Sequence, residues 1–376
     1  MKNDSNQNGE EMEFLDVREE AVNYISDTEA RILELGPLTR PLLKRDDYPN
    51  YFFVDIRSTE EIRQLYSKNR YLENTGISVK IEKIVDIDFV IKGSYKETFK
   101  GIEKFDYVIV SHVLEHIPNL LEFFVDIKEV MKEGSLLIII YPDKRFSFDH
   151  FRTNTKFSDV YEVYIKGSER VASQALDFYT NVISENDPVK FWDFNKGVQL
   201  YGEKEFKSEK NIEIYKNILK GEEEEDVHYW PFSDFAFIKF LYECTIYNFL
   251  QFSIAKFIPT QKNTQSFLAI LTLGDRQEKK EFEREIRKAK SYFVSEFYQL
   301  KRHREEVRSL TSERGLLREQ IVGLVQKVEK LGGTVRDFEA KREELQRENI
   351  SLGATVESLT LQMEERSRIR YMVKSI

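Results

Sequence analysis

Hydrophobic runs and polar segments alternate along residues 28–142 in a pattern typical of strands and helices that follow one another. Short apolar runs rich in β-branched and aromatic residues predict strands at RILEL, YFFVDI, KIVDIDFV, FDYVIVSHV and SLLIIIYP. Between them, EEIRQLYSKNRYL and NLLEFFVDIKEVMKEG carry apolar residues at helical spacing, and Gly134 is expected to end the second helix. Strands that alternate with helices of this length form a parallel sheet covered on both faces. We therefore predict a doubly wound, Rossmann-like α/β fold.

The following region, about residues 143–275, is denser in aromatic residues and less regular. FAFIKFLYECTIYNFLQFSIAKF predicts a buried helix followed by a strand. LQFSIAKFIPTQKNTQSFLAILTLG predicts two strands joined by a polar turn. Such a pair is expected to close one edge of the mostly parallel sheet in antiparallel fashion.

A heptad repeat dominates the C-terminal region. One seam position is occupied every seven residues by Leu310, Leu317, Leu324, Leu331, Phe338, Leu345, Leu352 and Leu359. β-branched residues dominate the other seam position, which favours a parallel coiled-coil dimer, with a trimer as the alternative. An unbroken helix of roughly 80–90 residues would make a rod on the order of 120–130 Å long, weakened at Gly332 and Gly333. An antiparallel hairpin within one chain is the alternative arrangement.

Composition limits which binding partners and which cellular compartment fit this chain. A formal net charge of −9 argues against nucleic acid, because phosphate binding needs a basic face. The single cysteine, Cys244, lies in an apolar run and is expected to be a core residue, which fits a reducing cytoplasm. Neither a signal peptide nor a transmembrane segment is expected. Basic and apolar residues alternate in the tail, residues 367–376, so peripheral contact with the inner membrane is an alternative to a soluble tail.

The turn after the first predicted strand has features of a cofactor site. Glu34, Leu35, Gly36 and Pro37 form this turn, and Asp55 ends the second strand about 20 residues later, a spacing typical of an acidic group that binds ribose. The GxGxxG pattern is absent, which argues against a diphosphate seated on a helix N-terminus and favours a cofactor without one. A strand-end turn is the alternative role for Asp55.

Longer motifs around this turn resemble those of a known family. ILELGPLTRP, VDI, DYVIVSHVLEHIPNLLEFF and GSLLIIIYPDKRFSFDHFR resemble class I S-adenosylmethionine-dependent methyltransferases over roughly residues 15–275. The likeness is to the subgroup with E-[IL]-G-P in its first motif, which is often found in bacterial surface-glycan clusters. The resemblance implies that S-adenosylmethionine is the cofactor. The residues it implies for binding are Glu34 and Gly36 at the amino-acid end, Asp55 at the ribose, Ile56 and Asp88 at the adenine, and Ser111 and His112 on the sulfonium side. Asp88 is placed after the third strand.

Polar residues crowd the segment after the fifth predicted strand and predict a substrate pocket. The leading candidates for a general base are Asp143 and His150, and His112 and His228 are weaker candidates. The residues predicted to contact substrate are Lys144, Arg145, Arg152 and His228. The acceptor is either a sugar hydroxyl, which needs the base, or a phosphate, which needs no base and would be held by Lys144, Arg145 or Arg152. For residues 143–145, a solvated turn is the alternative to a substrate pocket. His228 is alternatively a core histidine, and Glu115 and His116 alternatively cap a helix. With no cysteine cluster and no HExxH, no metal site is expected.

Within the resembling group, chain-terminating methyltransferases of O-antigen synthesis join such a domain to a C-terminal coiled coil. The resemblance implies an enzyme that caps the non-reducing end of a polysaccharide, with the coiled coil as oligomeriser and as a spacer from a glycosyltransferase or polymerase near the membrane. We expect disorder in residues 1–14, a catalytic domain at 15–275 with substrate-side insertions at 143–235, a coiled coil at 277–366 that forms a homo-oligomer, and the tail at 367–376. The alternative is an inactive scaffold that tethers glycan-assembly partners through the coiled coil.

Overall fold

The computed structural model describes most of the N-terminal three quarters of the chain and part of its C-terminal region. The described residues are 16–68, 79–183, 185–192, 227–274, 280–288 and 342–357, with 212, 213, 216, 217, 219, 220, 314 and 319 between them. The chain divides into two compact units, residues 1–186 with 205–286, and residues 187–204 with 287–376. The main division at residue 286 lies close to the predicted boundary near residue 275.

Seven strands of the described residues form one sheet. They are β1 (Ile32–Leu35), β2 (Tyr51–Asp55), β3 (Phe89–Val90), β4 (Phe105–Ser111), β5 (Met131–Pro142), β6 (Phe252–Ile258) and β7 (Ser266–Leu273). Their order is β3-β2-β1-β4-β5-β7-β6. The first five strands pair in parallel, and β7 is antiparallel to both β5 and β6. The predicted doubly wound, mostly parallel sheet with a C-terminal antiparallel pair is confirmed.

The helices of the described residues lie mostly between the strands. They are α1 (Val17–Asn23), α2 (Thr59–Lys68), α3 (Tyr95–Thr98), α4 (Leu120–Val130), α5 (Phe157–Lys166), α6 (Ser168–Asn181), α7 (Pro188–Phe191) and α8 (Asp234–Ile246), with further helix at 280–288 and 342–357. The Asn119 side chain accepts a hydrogen bond from the Glu122 amide and so caps α4. This helix ends at Val130 rather than at Gly134, because Met131 already pairs with Phe105 in the sheet. None of the described helices combines the length and the apolarity needed to cross a membrane.

Both faces of the sheet are covered, as its sequence pattern predicts. Val108, Ile109 and Val110 follow one another in β4 and are all fully buried, although neighbouring side chains in a strand point to opposite faces. Ile109 belongs to a core that includes Ala21 and Ile25 near α1. Burial of each such side chain stabilises the fold by about 1.5–3 kcal/mol. The packing therefore fixes β1, β2, β4 and β5 side by side, so that residues following their carboxyl ends meet at one edge.

The C-terminal heptads are described only in part. In the helix at 342–357, the seam positions Leu345, Leu352 and Val356 are more buried than Ile350 on the opposite side. A Cβ atom on Gly353 would lie 3.8 Å from the guanidinium of Arg314, whereas one straight helix would separate these two residues by about 58 Å. Arg314 and Gly353 therefore do not lie on one straight helix, and the prediction of an unbroken rod is wrong for this stretch. The other predicted leucine and phenylalanine positions and the basic tail lie outside the described residues.

Candidate active site

The turn after β1 brings a glycine to the carboxyl edge of the sheet. Gly36 has a φ of +55°, a backbone conformation that favours glycine, and its amide donates to the Val54 carbonyl at 2.9 Å. A Cβ atom at this position would lie 2.9 Å from Cγ2 of Val113 and 3.8 Å from Oδ2 of Asp55. The lack of a side chain therefore lets Val113 and the Asp55 carboxylate lie close to the backbone where β1, β2 and β4 end.

Asp55 ends β2 beside Gly36, and Ile56 follows it, as predicted. Oδ1 of Asp55 accepts a hydrogen bond from the Arg57 amide at 3.0 Å, while its Oδ2 faces Gly36. The Ile56 side chain is 58% exposed, which is unusual for a large apolar residue next to a buried strand. An acidic oxygen and an exposed apolar side chain thus lie side by side, which suits a ligand with a hydroxylated sugar and a flat ring.

Glu34 is directed into the protein interior. Its side chain is buried, and both carboxylate oxygens accept a hydrogen bond from the Leu42 amide, at 2.9 and 3.2 Å, with a further bond from the Tyr51 hydroxyl. Burial raises the pKa of Glu34 to about 8, against the opposing effects of the Leu42 amide and of Arg18. Glu34 therefore anchors the loop after Gly36, and this geometry does not support its predicted direct contact with the cofactor.

Asp88 is placed differently from the prediction. The third strand consists only of Phe89–Val90, so Asp88 precedes it rather than follows it. Its Oδ2 accepts a hydrogen bond from the Phe53 amide at 2.7 Å and forms an ion pair with Arg45. These contacts lie alongside β2, before its carboxyl end, and the predicted position of Asp88 after the third strand is wrong.

Four side chains form a polar cluster after β4, which we call the histidine cluster: Glu115, His112, His116 and His228. The Glu115 side chain is 1% exposed, and its Oε1 lies 3.8 Å from Nδ1 of His112 and 3.9 Å from Nε2 of both His116 and His228. Within the part of the chain that the structure describes, neither carboxylate oxygen of Glu115 has a hydrogen-bond partner. The cluster contains three of the five histidines in the sequence.

His112 connects the histidine cluster to the strand ends. It follows Ser111, the last residue of β4, has a φ of +55°, and its side chain is 38% exposed. Its Nε2 lies 3.0 Å from the Ser266 hydroxyl, at the start of β7. The pKa of His112 is lowered by its desolvation, although Glu115 raises it. The structure therefore brings the predicted residues His112 and His228 close to Glu115.

His228 is held in place by the buried carboxylate of Asp149. Its Nδ1 is hydrogen bonded to Oδ2 of Asp149, and Arg152 donates to Oδ1 of Asp149 at 2.8 Å and to the His228 carbonyl. Burial alone would raise the pKa of Asp149, but His228 and Arg152 lower it overall. Arg152 also pairs with Asp177 at 2.8 Å. Arg152 thus positions the histidine from within the protein, and its predicted contact with substrate is not supported.

Asp143 and Arg145 form a second buried network. Arg145 binds both carboxylate oxygens of Asp143 and also Asp234, and the Thr260 hydroxyl donates to Asp143 at 2.8 Å. Burial would raise the pKa of Asp143, but the charge and hydrogen bonds of Arg145 hold it below its usual value. A carboxylate with so many donors is a poor proton acceptor. The predicted roles of Asp143 as a base and of Arg145 as a substrate contact are not supported.

Lys144 and His150 are joined to the same segment by backbone contacts. The Lys144 ammonium donates to the His150 carbonyl at 3.2 Å, and Nδ1 of His150 lies 2.6 Å from the Arg145 carbonyl. Burial lowers the pKa of Lys144 to about 8, although Asp143 raises it. His150 remains a predicted base, and Lys144 a predicted substrate contact.

Sequence reasoning named most members of the histidine cluster separately and missed that they meet. His112, Glu115 and His116 have the spacing i, i+3, i+4, which places side chains close together on one helical turn. The structure folds Leu114–His116 as a short 3-10 turn and brings His228 against it from a distant part of the chain. The Tyr229 amide donates to the Glu115 carbonyl at 2.7 Å and holds the two segments together.

Comparison with known proteins identifies a family for this chain. A family model described as "Methyltransferase domain" matches residues 10–208, just over half of the chain. No curated protein matches significantly. Among solved structures, the chain is similar to the mitomycin 7-O-methyltransferase MmcR (12% identity, 69% of this chain and 53% of that one, TM-score 0.31). Others are the CurJ carbon methyltransferase (12%, 66% and 49%, 0.31) and an S-adenosylmethionine-dependent methyltransferase from Clostridium acetobutylicum ATCC 824 (12%, 68% and 88%, 0.33). The chain spans about half the length of the first two.

Proposed function

Because the chain belongs to the methyltransferase-domain family, whose methyl donor is S-adenosylmethionine, we propose that it methylates a terminal sugar hydroxyl of a bacterial surface polysaccharide. In this proposal it acts as the O-antigen chain terminator that its sequence resembles, so that the capped non-reducing end accepts no further sugar. The observation that carries the choice of acceptor is the histidine cluster, a buried carboxylate among imidazoles at the carboxyl ends of the strands.

The residues at the strand ends fit this cofactor. Gly36 leaves the space that a Cβ would fill, Asp55 presents an oxygen to it, and Ile56 offers an exposed apolar surface for the adenine. When bound, S-adenosylmethionine supplies an electrophilic methyl group on a sulfonium. The task of the chain is then to align the acceptor with that methyl group and to exclude other orientations.

The charges around the site favour a hydroxyl over a phosphate as the acceptor. A phosphate needs available cations, but Arg145 is engaged with Asp143 and Asp234, and Arg152 with Asp149 and Asp177. The third cation, Lys144, is buried and donates to the His150 carbonyl. A neutral hydroxyl is a poor nucleophile and needs a group that accepts its proton. His112 is the imidazole of the cluster with the most exposed side chain, next to Ser111 at the end of β4, and we assign this role to it.

The C-terminal heptads support a further part of the proposal, that copies of the chain associate. The seam positions Leu345, Leu352 and Val356 fall on one side of the helix at 342–357. The sequence continues this heptad pattern from Leu310 to Leu359, and chains with such apolar repeats associate as helical bundles. In the proposal this assembly also spaces the catalytic domain from a polymerase near the membrane.

The experiment measures transfer of labelled methyl from S-adenosylmethionine to synthetic oligosaccharides. Three acceptors are compared: one with a free terminal hydroxyl, one with a terminal phosphate, and one whose terminal hydroxyl is already methylated. Label should enter only the first. Transfer to the phosphate alone would contradict the proposal, and the absence of both transfer and cofactor binding would favour the scaffold alternative.

The base assignment is tested with a matched pair of variants, His112→Asn and His150→Asn. Asparagine tolerates positive φ, so the first variant keeps the backbone conformation at residue 112. We expect kcat to fall by about 10²–10⁴-fold in His112→Asn, with cofactor affinity retained. A loss of that size in His150→Asn instead would return the role to His150.

A further inference from the structure

The buried carboxylate of Glu115 lacks the partners that a buried charge needs. Its side chain is 1% exposed, and among the described residues neither oxygen has a hydrogen-bond partner. Buried charges in proteins are paired with opposite charges or coordinate metal ions, because desolvation of an isolated charge is costly. The Glu115 carboxylate is therefore poorly compensated by hydrogen bonds from the described side chains.

The three nearest nitrogens lie too far away for hydrogen bonds. Nδ1 of His112 and Nε2 of His116 and His228 lie 3.8–3.9 Å from Oε1 of Glu115, beyond the usual hydrogen-bond range. Ligands bonded at about 2.0–2.2 Å to one metal ion are about 3.0–3.5 Å apart. The distances from Glu115 to His116 and His228 exceed this range by a few tenths of an ångström, so the side chains would move closer together when an ion binds. The ligand atoms of Glu115, His116 and His228 all lie within 4.8 Å of one another.

The surroundings of His228 prepare it to be a ligand. A metal-binding histidine commonly places its other ring nitrogen against a carboxylate, which fixes the tautomer and the direction of the ring. Nδ1 of His228 has this partner in Asp149, so its Nε2 is directed at Glu115. Arg152 in turn fixes Asp149, and the Tyr229 amide ties this segment to the Glu115 backbone.

We propose that Glu115, His116 and His228 bind a divalent transition-metal ion. Two imidazoles and one carboxylate suit zinc, iron, cobalt, nickel or manganese better than magnesium or calcium, which prefer oxygen ligands alone. Three protein ligands leave coordination positions for an acceptor oxygen, as in metal sites that bind substrate. Because His112 lies 3.8 Å from Glu115, an acceptor held by the ion is oriented beside the imidazole that takes its proton. Binding of the ion does not depend on the identity of the acceptor assumed in the proposed function.

The test uses the full chain without an affinity tag, stripped with a chelator and then titrated with Zn²⁺ and with Co²⁺. We expect one ion per chain by elemental analysis, and visible d–d bands when Co²⁺ is added. Glu115→Gln should weaken binding at least about 100-fold. Asp149→Asn changes the partner of His228 and the ion pair with Arg152 but none of the ligands, and it should weaken binding by about 10–100-fold. His150→Gln is the matched control, because His150 lies outside the ligand set, and it should keep full stoichiometry.

Thermal unfolding supplies a second measurement. Its expected result, a reversal in the order of unfolding temperatures when metal is added, would not follow from a purely structural role for Glu115. Without metal, Glu115→Gln should unfold at a higher temperature than the wild type, since it removes a buried charge without partners. With Zn²⁺ present, the order should reverse. If Glu115→Gln does not fold, His116→Gln tests the same ligand set by titration.

The proposal is overturned if the wild-type chain binds no more Zn²⁺ or Co²⁺ than Glu115→Gln or His116→Gln. It is also overturned if adding metal leaves the unfolding temperature of the wild type unchanged. Both measurements omit S-adenosylmethionine and oligosaccharide. A chain that binds metal but transfers no methyl group would therefore refute the proposed function alone.

Discussion

Replacing Gly36 by alanine tests the close packing around the proposed cofactor site. The residue has a φ of +55°, and a new Cβ would lie 2.9 Å from Cγ2 of Val113. A positive φ costs an alanine about 1–2 kcal/mol. Two carbon atoms prefer a separation of about 3.5–4.0 Å, so Val113 must move by about 0.6 Å or more, and such overpacking costs about 1–3 kcal/mol. We expect Gly36→Ala to lower the free energy of unfolding by about 2–5 kcal/mol.

A matched glycine separates the two contributions to this loss. Gly134 has a φ of +76°, but a Cβ at this position would meet nothing within 4 Å. Gly134→Ala should therefore cost only the conformational part, about 1–2 kcal/mol. In Gly36→Ala combined with Val113→Ala, the close contact is removed and part of the lost stability should return, measured against Val113→Ala alone. Urea unfolding of the four variants and the wild type measures these differences.

Cofactor affinity is the second measurement on the same variants. The added methyl group of Gly36→Ala lies beside Oδ2 of Asp55, in the space assigned to S-adenosylmethionine. Calorimetry should show at least tenfold weaker binding to Gly36→Ala and unchanged binding to Gly134→Ala. Equal stability and equal cofactor affinity in the two alanine variants would refute the close approach of Gly36 and Val113.

Three further predictions follow from the same structure. Asp55→Ala should weaken S-adenosylmethionine binding by about 1.5–3 kcal/mol for each ribose hydrogen bond lost, and unchanged affinity by calorimetry in a folded variant would remove Asp55 from the site. Burial raises the pKa of Glu34 from its ordinary value of 4.5 to about 8 in the folded protein. Glu34 therefore contributes fully to stability below pH 4.5, and this contribution is lost as the pH rises to 8. Unfolding between pH 5 and 8 should therefore depend less on pH in Glu34→Gln, by up to about 1.4 kcal/mol per pH unit, and an identical slope would contradict this. Truncation after Ile286, where the first compact unit ends, should leave a monomer that binds cofactor, and light scattering that finds the full-length chain monomeric would contradict assembly through the heptads.

Most of the sheet could be predicted from the sequence, because its longer strands coincide with sequence runs that are rich in apolar residues. The third strand could not be predicted in this way. KIVDIDFV has the composition of a strand, but the Val85 amide donates to the Leu38 carbonyl and the Ile87 amide to the Thr59 hydroxyl. With these amides engaged by loops and by α2, only Phe89 and Val90 pair with β2. Apolar residues indicate burial, whereas strand pairing depends on where backbone donors find acceptors.

The site was predictable in part for a similar reason. Gly36 and Asp55 are close because the parallel strands β1 and β2 end together, a consequence of the fold class. The meeting of Glu115 with His228 depends on how residues 227–230 return to the sheet, which no local spacing records. Charged residues after β5 suggested a pocket, but Arg145 and Arg152 are paired inside the protein with acidic residues from distant segments. Charge alone does not distinguish a substrate contact from a buried ion pair.

The direction of β7 has a consequence for protein engineering. Because β7 is antiparallel to β5, it begins with Ser266 beside His112, at the carboxyl ends of the parallel strands. It finishes at their amino ends, where the Gly274 amide donates to the Gln251 carbonyl. A sequence joined after Gly274 therefore begins at the end of the sheet opposite the histidine cluster. Fusion of a fluorescent reporter or an affinity handle at this junction would leave the entrance for donor and acceptor clear. Recombination at the same point would exchange C-terminal appendages without altering any strand that carries the chemistry.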